Sequence, residues 1–182
     1  MNSHQASKTS FPAPSMPSAT TPDWSREEPR MFFDPSRKLL RSIRRYQWWS
    51  SQTGVMRLAA IVAKKRWVFS HRFWSIVSAA DIPLTCHIAG GLILPHPSGV
   101  VVHPDAKIGP NCLLGAHTVI GVGKVPGLPV LEGHVDVHAG GCVLGGVTVG
   151  CHSQIGANAV VIKDVPANAT AVGVPARVIM RS

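Results

Sequence analysis

A branched aliphatic residue recurs every six positions through the C-terminal half of the chain. Ten positions follow this spacing, with one interruption: Val102, Ile108, Leu114, Ile120, Leu131, Val137, Val143, Val149, Ile155 and Val161. Because Val, Ile and Leu make up 44 of the 182 residues, ten matches in phase have a chance probability of about one in a million. The spacing therefore indicates a repeat architecture.

A second set of positions, two residues before an aliphatic, holds small or slender side chains: Ala106, Cys112, Thr118, Val135, Gly141, Val147, Ser153 and Ala159. Each six-residue unit thus has one large and one small inward side chain, and a tight corner follows. This pattern predicts a short strand followed by a bend. Three such units close a triangular coil of about 18 residues, and successive coils stack through backbone hydrogen bonds at roughly 4.8 Å.

This repeat resembles that of the hexapeptide-repeat proteins, which fold as a left-handed parallel β-helix. We therefore expect a mainly β domain over residues 81–182, with the left hand taken from the resemblance, because parallel crossovers are usually right-handed. The resemblance also implies a homotrimer, with stacking of trimers left open, since a solenoid leaves its sheet faces exposed. Outward Leu113, Val119 and Val160 fit such an interface.

The repeat is interrupted once, between Ile120 and Leu131, where eleven residues stand in place of six. The segment 121–129 is rich in Gly and Pro, which is loop chemistry. We predict that five residues protrude there, and loops on a rigid scaffold often carry function.

The N-terminal part of the chain has a different composition. Residues 1–80 contain 13 of the 18 Lys and Arg and all of the aromatic residues, so the entire net charge of +9 lies there. Residues 1–30, with six Ser, five Pro and three Thr, predict a disordered tail. Residues 31–80 predict basic amphipathic helices that precede the β-helix.

The basic helices allow two interpretations. Their aromatic face packs on the neighbouring domain or on a subunit partner, or it makes a peripheral contact with an anionic membrane through residues 36–80. Nucleic acid is disfavoured as a partner because no recognised motif accompanies the charge.

The chain shows neither a signal peptide nor an apolar run near the roughly 20 residues of a membrane span. We expect a cytoplasmic protein, with association at the inner face of the membrane as an alternative. The four cysteines form no CxxC pair, so we expect reduced thiols and no cysteine zinc site.

One histidine stands in a distinctive segment. The stretch from Leu94 to Val102, with His96 near its start, resembles the serine acetyltransferases and the exopolysaccharide O-acetyltransferases of the colanic acid type. In that family an Asp fifteen residues before the catalytic histidine orients it, and here Asp81 has that spacing. The resemblance implies that His96 deprotonates an acceptor hydroxyl as it attacks the thioester of acetyl-CoA, with Asp81 fixing the imidazole tautomer.

The C-terminal run Gly-Val-Pro-Ala-Arg at residues 173–177 resembles the end of acetyl-CoA-dependent hexapeptide acyltransferases. The resemblance implies a groove for acetyl-CoA, the expected co-substrate, between neighbouring subunits. The residues carried over to this groove are Gly145, Ala157, Lys163, Gly173, Pro175, Ala176 and Arg177.

Two departures from the serine acetyltransferases affect the acceptor. Pro95 replaces the family's Asp before the histidine, and Gly127-Leu128-Pro129 replaces its Arg-His-Pro in the loop. Because apolar groups hold a zwitterion poorly, the sequence favours a sugar hydroxyl in exopolysaccharide biosynthesis, with His117, His134 and His138 as candidate acceptor contacts. Serine is the alternative acceptor.

The β-helix is compatible with two other classes of protein. A γ-carbonic anhydrase-like zinc protein uses the same helix with three histidines, but the spacings of His103, His117, His134 and His138 do not reproduce its pattern, so no metal ligands are expected. A non-catalytic scaffold would give no reason for the pairing of Asp81 with His96.

Overall fold

The computed structural model describes residues 16–181. A 3₁₀ helix, η1 (Trp24–Glu27), precedes two α-helices, α1 (Pro35–Ser50) and α2 (Met56–Ser78). Short strands follow: β1 (His87–Ile88), β2 (Val101–Val102), β3 (Lys107–Ile108), β4 (Leu113–Leu114), β5 (Val119–Gly121), β6 (Val130–Leu131), β7 (Asp136–Val137), β8 (Cys142–Leu144), β9 (Thr148–Val149), β10 (Gln154–Ile155), β11 (Val160–Val161), β12 (Ala169–Val172) and β13 (Arg177–Met180).

The strands form the three faces of a prism. Sheet A contains β2, β5, β8 and β11, sheet B contains β1, β3, β6 and β9, and sheet C contains β4, β7, β10, β12 and β13. Strand pairs are parallel except for β12 with β13, where the chain turns back. The predicted left-handed parallel β-helix is thereby confirmed.

The six-residue repeat forms the interior of this solenoid. All ten of its aliphatic side chains are at most 2% exposed, and the slender positions between them are buried as well. Successive coils are in register after 18 residues in some pairs, such as Val101 with Val119, while the first and last coils step by 20 and 16 residues. Val119 pairs with Cys142 only after 23 residues. The five extra residues are the predicted loop, which leaves the corner between sheets A and B.

The tight corners use left-handed backbone conformations. At the corner between sheets B and C, positive φ angles occur at Asn111, His134, His152 and Asn168, which lie on successive coils. Asn and His are among the non-glycine residues that adopt this region most often. Their side chains therefore stack in a column along that corner.

The two α-helices form a hairpin that covers the start of the solenoid. Asp34 caps α1 by accepting from the N–H of Arg37, and Leu39, Leu40 and Ile43 are buried in the same core as the first coils. Helix α2 packs on α1, and of its residues only Ala60 and Ser78 are buried. No helix among residues 16–181 is long and apolar enough to cross a bilayer.

Residues 18–34, here called the strap, lie across the corner between sheets B and C. Asn111 accepts from the N–H of Asp23 at 2.8 Å and donates to the carbonyls of Ser18 and Thr21. The prediction of a disordered tail through residue 30 is therefore wrong from Ser18 onward, because side chains of the solenoid satisfy the polar backbone of the strap. The rest of that prediction, residues 1–15, lies outside the described part of the chain.

A buried ion pair fastens the strap to the hairpin. Glu27, 8% exposed, receives two hydrogen bonds from Arg44, at 3.0 and 2.8 Å. Glu27 also accepts from the N–H groups of Gly91 and Leu92, while Arg44 donates to two carbonyls of the solenoid. These additional hydrogen bonds offset the cost of burying both charges.

Candidate active site

His96 lies at the corner where the first coil turns from sheet C into sheet A. Leu94 anchors the corner in the core, Pro95 and Pro97 flank the histidine, and Gly99 makes the bend with a φ of 69°. The imidazole is exposed and forms no hydrogen bond within residues 16–181. It is therefore free to accept a proton from a substrate.

Asp81 lies at the edge of sheet A next to the same corner. Its backbone pairs with Val101, the residue into which the His96 corner leads. Because Ile82 is fully buried and side chains alternate along a strand, the Asp81 carboxylate faces outward. The described residues show no hydrogen bond between Asp81 and His96, so the predicted orienting contact is not formed in this conformation.

Two of the three histidines expected near the acceptor lie on the corner of His96. His117 lies on the next coil against the end of this corner, where its N–H donates to the carbonyl of Ser98 at 2.8 Å. A side chain on Gly99 would collide with the His117 imidazole, so these two coils touch there. His138 follows on the third coil, in register with Gly115 and Gly156.

His134 lies elsewhere and does not share the corner of His96. It occupies the corner between sheets B and C, where its Nδ1 is 2.8 Å from the Nδ1 of His152. Chiefly burial, together with His152 and two arginines, lowers the pKa of His134 against the opposing effect of Asp136. The spacing is sufficient to show this. His134 follows His117 by 17 residues, and without the five inserted residues the remaining 12 correspond to two faces of the prism. A return to the same corner would need three faces.

The residues expected to bind acetyl-CoA lie along the two edges of sheet A. Gly145 and Lys163 occupy the corner between sheets A and B, and Ala157 occupies the corner between sheets C and A. The C-terminal turn reaches the latter corner, because the N–H of Val160 donates to Gly173 and that of Ala176 donates to Val160. The remaining two residues, Pro175 and Arg177, are exposed at this turn.

The protruding loop is apolar over most of its length. Val122 and Val125 are 67% and 42% exposed, and Lys124 is the single charged residue in segment 121–129. The loop packs on the next coil, where the N–H of Gly146 donates to Val125. It offers no guanidinium or imidazole to an acceptor.

A cavity of about 410 Å³ next to the His96 corner was missed by the sequence analysis. Three arginines of the strap and of α1 line it, Arg26, Arg30 and Arg37, and so do Pro95 and Pro97. No local pattern in the sequence connects the two segments that form it, and the prediction of disorder for residues 1–30 excluded part of its wall.

Metal ligands and thiols do not cluster in the described structure. Residues 16–181 contain no group of three or more His, Cys, Asp or Glu side chains placed to hold a metal ion. The four cysteines are free thiols, and burial raises the pKa of Cys86 and of Cys112 to about 12.

Curated relatives with similar sequences are serine acetyltransferases. The chain is 37% identical over 132 residues to serine acetyltransferase from Helicobacter pylori strain J99, which covers 69% of this chain and 77% of that one. The enzyme from Mycobacterium tuberculosis is 36% identical over 137 residues, covering 74% and 56%. The enzyme from Synechococcus elongatus is 38% identical over 110 residues, covering 59% and 45%.

Solved structures show the same similarity. A serine acetyltransferase in complex with CoA superimposes with a TM-score of 0.65 at 26% identity, covering 81% of this chain and 57% of that one. A complex with cysteine gives 0.67 at 27%, covering 83% and 56%. The soybean enzyme complexed with serine gives 0.63 at 31%, covering 78% and 56%.

No protein-family model matches the chain. The chain spans about half the length of several of these relatives. At 37% identity, however, it covers more than three quarters of the Helicobacter pylori enzyme, and its solenoid superimposes on those of the solved enzymes. The chain belongs to the serine acetyltransferase family.

Proposed function

We propose that this chain is an acetyl-CoA-dependent O-acetyltransferase with His96 as its general base. The observation that carries the proposal is the exposed, unbonded imidazole of His96 at the edge of sheet A, at the corner where the family's catalytic histidine is expected. The relatives, all serine acetyltransferases by name, support the same reaction.

In the proposed reaction His96 takes the proton of an acceptor hydroxyl while the oxygen attacks the thioester carbonyl. The C–S bond then breaks, and His96 returns the proton to the departing CoA thiolate, so that it ends the cycle neutral. Asp81 acts as a positioning residue: a rotation of its side chain brings the carboxylate to one ring nitrogen and stabilises the imidazolium. No acyl-enzyme is needed.

Acetyl-CoA would lie in the groove between sheet A and a neighbouring subunit, along the two corners that hold the carried-over residues. The outward positions of this sheet, Val101, Val119, Cys142 and Val160, are apolar or nearly so, which suits a pantetheine arm. Lys163 and Arg177 are exposed cations that could meet the phosphates. The solved enzyme in complex with CoA supports this proposal.

L-Serine is the acceptor that the comparisons favour, because the relatives carry its name and the soybean enzyme was solved with serine. A sugar hydroxyl is the second candidate, and the observation in its favour is the apolar loop at 121–129, which lacks cationic partners for an amino acid apart from Lys124.

The two acceptors can be separated by measuring CoA release with acetyl-CoA and either L-serine or N-acetylglucosamine and its UDP derivative. His96→Ala should abolish turnover with the true acceptor. His87→Ala is the matched control, because His87 is an exposed histidine of the same coil on sheet B. Turnover that survives in His96→Ala would refute the proposed base.

The assembly proposed for the chain is a homotrimer, since apolar residues on the solenoid surface, Leu113, Val119 and Val160, are only partly buried by the chain itself. Light scattering on the purified protein should give three times the chain mass of 19.4 kDa. A monomer at micromolar concentration would contradict this assembly.

We also propose that the helical hairpin contacts an anionic membrane surface. Residues 35–80 contain ten Lys and Arg and no Asp or Glu, while Leu58, Phe69 and Ile76 of α2 are 74%, 77% and 81% exposed. Exposed apolar side chains among cations are typical of a helix that lies at a membrane interface. Self-association of α2 is disfavoured, because two copies of this helix would bring like charges together.

The membrane contact can be tested by co-sedimentation with phosphatidylglycerol vesicles. Binding should be lost with phosphatidylcholine alone, at high salt, and in Phe69→Asp, while Val130→Asp on sheet B serves as a control for added charge. Equal binding to both lipids, or concentration-dependent dimerisation without lipid binding, would overturn it.

A further inference from the structure

The cavity beside His96 lies between two segments that are distant in sequence. One wall is the end of the strap with the first turn of α1, and the other is the corner from Leu92 to Pro97. Pro95 and Pro97, on either side of His96, both line the cavity, whereas His96 itself does not. A molecule in this cavity therefore lies beside the corner that carries the proposed base.

The cavity has an excess of positive charge. Arg26, Arg30 and Arg37 line it, and Asp34 is the single carboxylate among its lining residues. Although burial acts to raise the pKa of Asp34, hydrogen bonds from Arg30 and Arg37 outweigh it and lower that pKa, so Asp34 remains charged and can balance only one arginine. The first turn of α1 adds the positive end of a helix dipole.

Several guanidinium donors in this cavity are unused. Arg26 donates through Nη1 to the carbonyl of Asn111, and Arg37 donates through Nε to Arg26 and through Nη1 to Asp34. Within residues 16–181 the side chain of Arg30 makes neither a hydrogen bond nor an ion pair. A guanidinium has five N–H donors in a planar fork that matches carboxylate and phosphate oxygens.

We infer that this cavity is the acceptor's anion subsite: it binds a carboxylate or phosphate of the acceptor while the acceptor hydroxyl lies at His96. The inference rests on the proposed acetyl transfer at His96. The strap and α1 thereby provide guanidinium groups beside the His96 corner, whereas the loop at 121–129 leaves the corner between sheets A and B and carries only Lys124. The carboxylate of L-serine and the phosphate of a nucleotide-linked sugar share this chemistry.

Arg30→Gln is the cleanest test, because Arg30 is exposed and its side chain bonds to nothing in the described structure. Lys107→Gln is the matched control, since Lys107 is an exposed cation on sheet B. Steady-state kinetics would compare L-serine with L-serinamide, and UDP-N-acetylglucosamine with N-acetylglucosamine, so that each anionic acceptor has a neutral counterpart.

Arg30→Gln should raise KM for the anionic acceptor by about 10- to 100-fold, as expected for the loss of charge-assisted hydrogen bonds. The KM for acetyl-CoA, the kinetics of the neutral counterpart and the melting temperature should stay as in the wild type. Arg30→Lys should recover part of the loss. The pair of acceptors that shows the effect identifies the source of the anion.

Failure of this inference can be told apart from failure of the proposed function. Turnover that depends on His96 but is unchanged in Arg30→Gln, or reduced equally for anionic and neutral acceptors, overturns the subsite alone. Turnover that persists in His96→Ala overturns the proposed function. If neither anionic acceptor is turned over, calorimetric titration of wild type and Arg30→Gln with L-serine and with the UDP-sugar decides, and the absence of Arg30-dependent binding refutes the subsite.

Discussion

The solenoid and the N-terminal region of this chain are held together in different ways. In residues 81–182 the charges balance, and regularly spaced aliphatic side chains fill the interior coil by coil. In residues 16–80 a basic hairpin and an irregular strap attach through a few specific contacts, namely Leu39, Leu40 and Ile43 in the core and the pair Glu27–Arg44. The first region is periodic and the second depends on individual residues.

The two regions contribute different parts of the candidate active site. The solenoid supplies a rigid corner that presents His96, since repeated strand pairing on every face holds its backbone in place. The strap and α1 contribute Arg26, Arg30 and Arg37 to the cavity beside the same corner. We expect chemistry to depend on the solenoid and acceptor selection on the strap.

Core substitutions should separate the two regions most clearly. Leu114→Ala removes a fully buried side chain of the solenoid and should lower the free energy of unfolding by about 2–5 kcal/mol. Leu58→Ala on the exposed face of α2 should change it by less than about 0.5 kcal/mol. Urea titrations of both variants measure this, and equal losses would mean that α2 is covered in solution.

Removing the acid beside the His96 corner should affect the rate of the proposed reaction and not the stability of the fold. Asp81→Asn should lower kcat by about 10²-fold, because an amide cannot stabilise the imidazolium that forms in the transition state. Asp105→Asn is the control, since Asp105 is an exposed acid at another corner. A wild-type rate in Asp81→Asn would show that the carboxylate does not turn toward His96 during catalysis.

The link between strap and hairpin should be sensitive to a single charge. Glu27→Gln leaves the Arg44 guanidinium partly buried without its carboxylate and should cost about 1–3 kcal/mol. The strap should become more accessible to trypsin at Arg26 and Arg30, while the solenoid remains resistant. If the digestion pattern does not change, the backbone contacts to Asn111 are sufficient to hold the strap.

The smallest effect concerns pH. Because burial lowers the pKa of His134 in the folded protein, the unfolded chain takes up its proton first as the pH falls below about 6.5. Stability should therefore decrease from pH 6.5 down through the lowered folded pKa, and then level off for this residue. His134→Asn introduces the residue type found at Asn111 and Asn168 in the same column. It should make the free energy of unfolding from urea titrations less dependent on pH in this range. If the dependence does not change, it arises from other groups.

Periodicity accounts for the parts of the structure that were predicted. The inward positions from Val102 to Val161 and the insertion after Ile120 follow from the six-residue spacing, because each side chain's direction is set by its place within a local strand and bend. The corner of His96 was found through its resemblance to a known family. These features depend on neighbouring residues along the chain.

The features that were missed or misplaced depend on contacts between distant segments. His134 was grouped with His117 and His138 as a candidate acceptor contact, but it lies on another corner because the insertion changes which face a residue occupies. The composition of residues 1–30, with few apolar side chains, predicts disorder. The Asn111 amide and the Glu27–Arg44 pair nevertheless hold the strap by hydrogen bonds that no local pattern encodes. The arginine cavity beside His96 exists only where strap and solenoid meet, so its charge and shape were decided by tertiary packing.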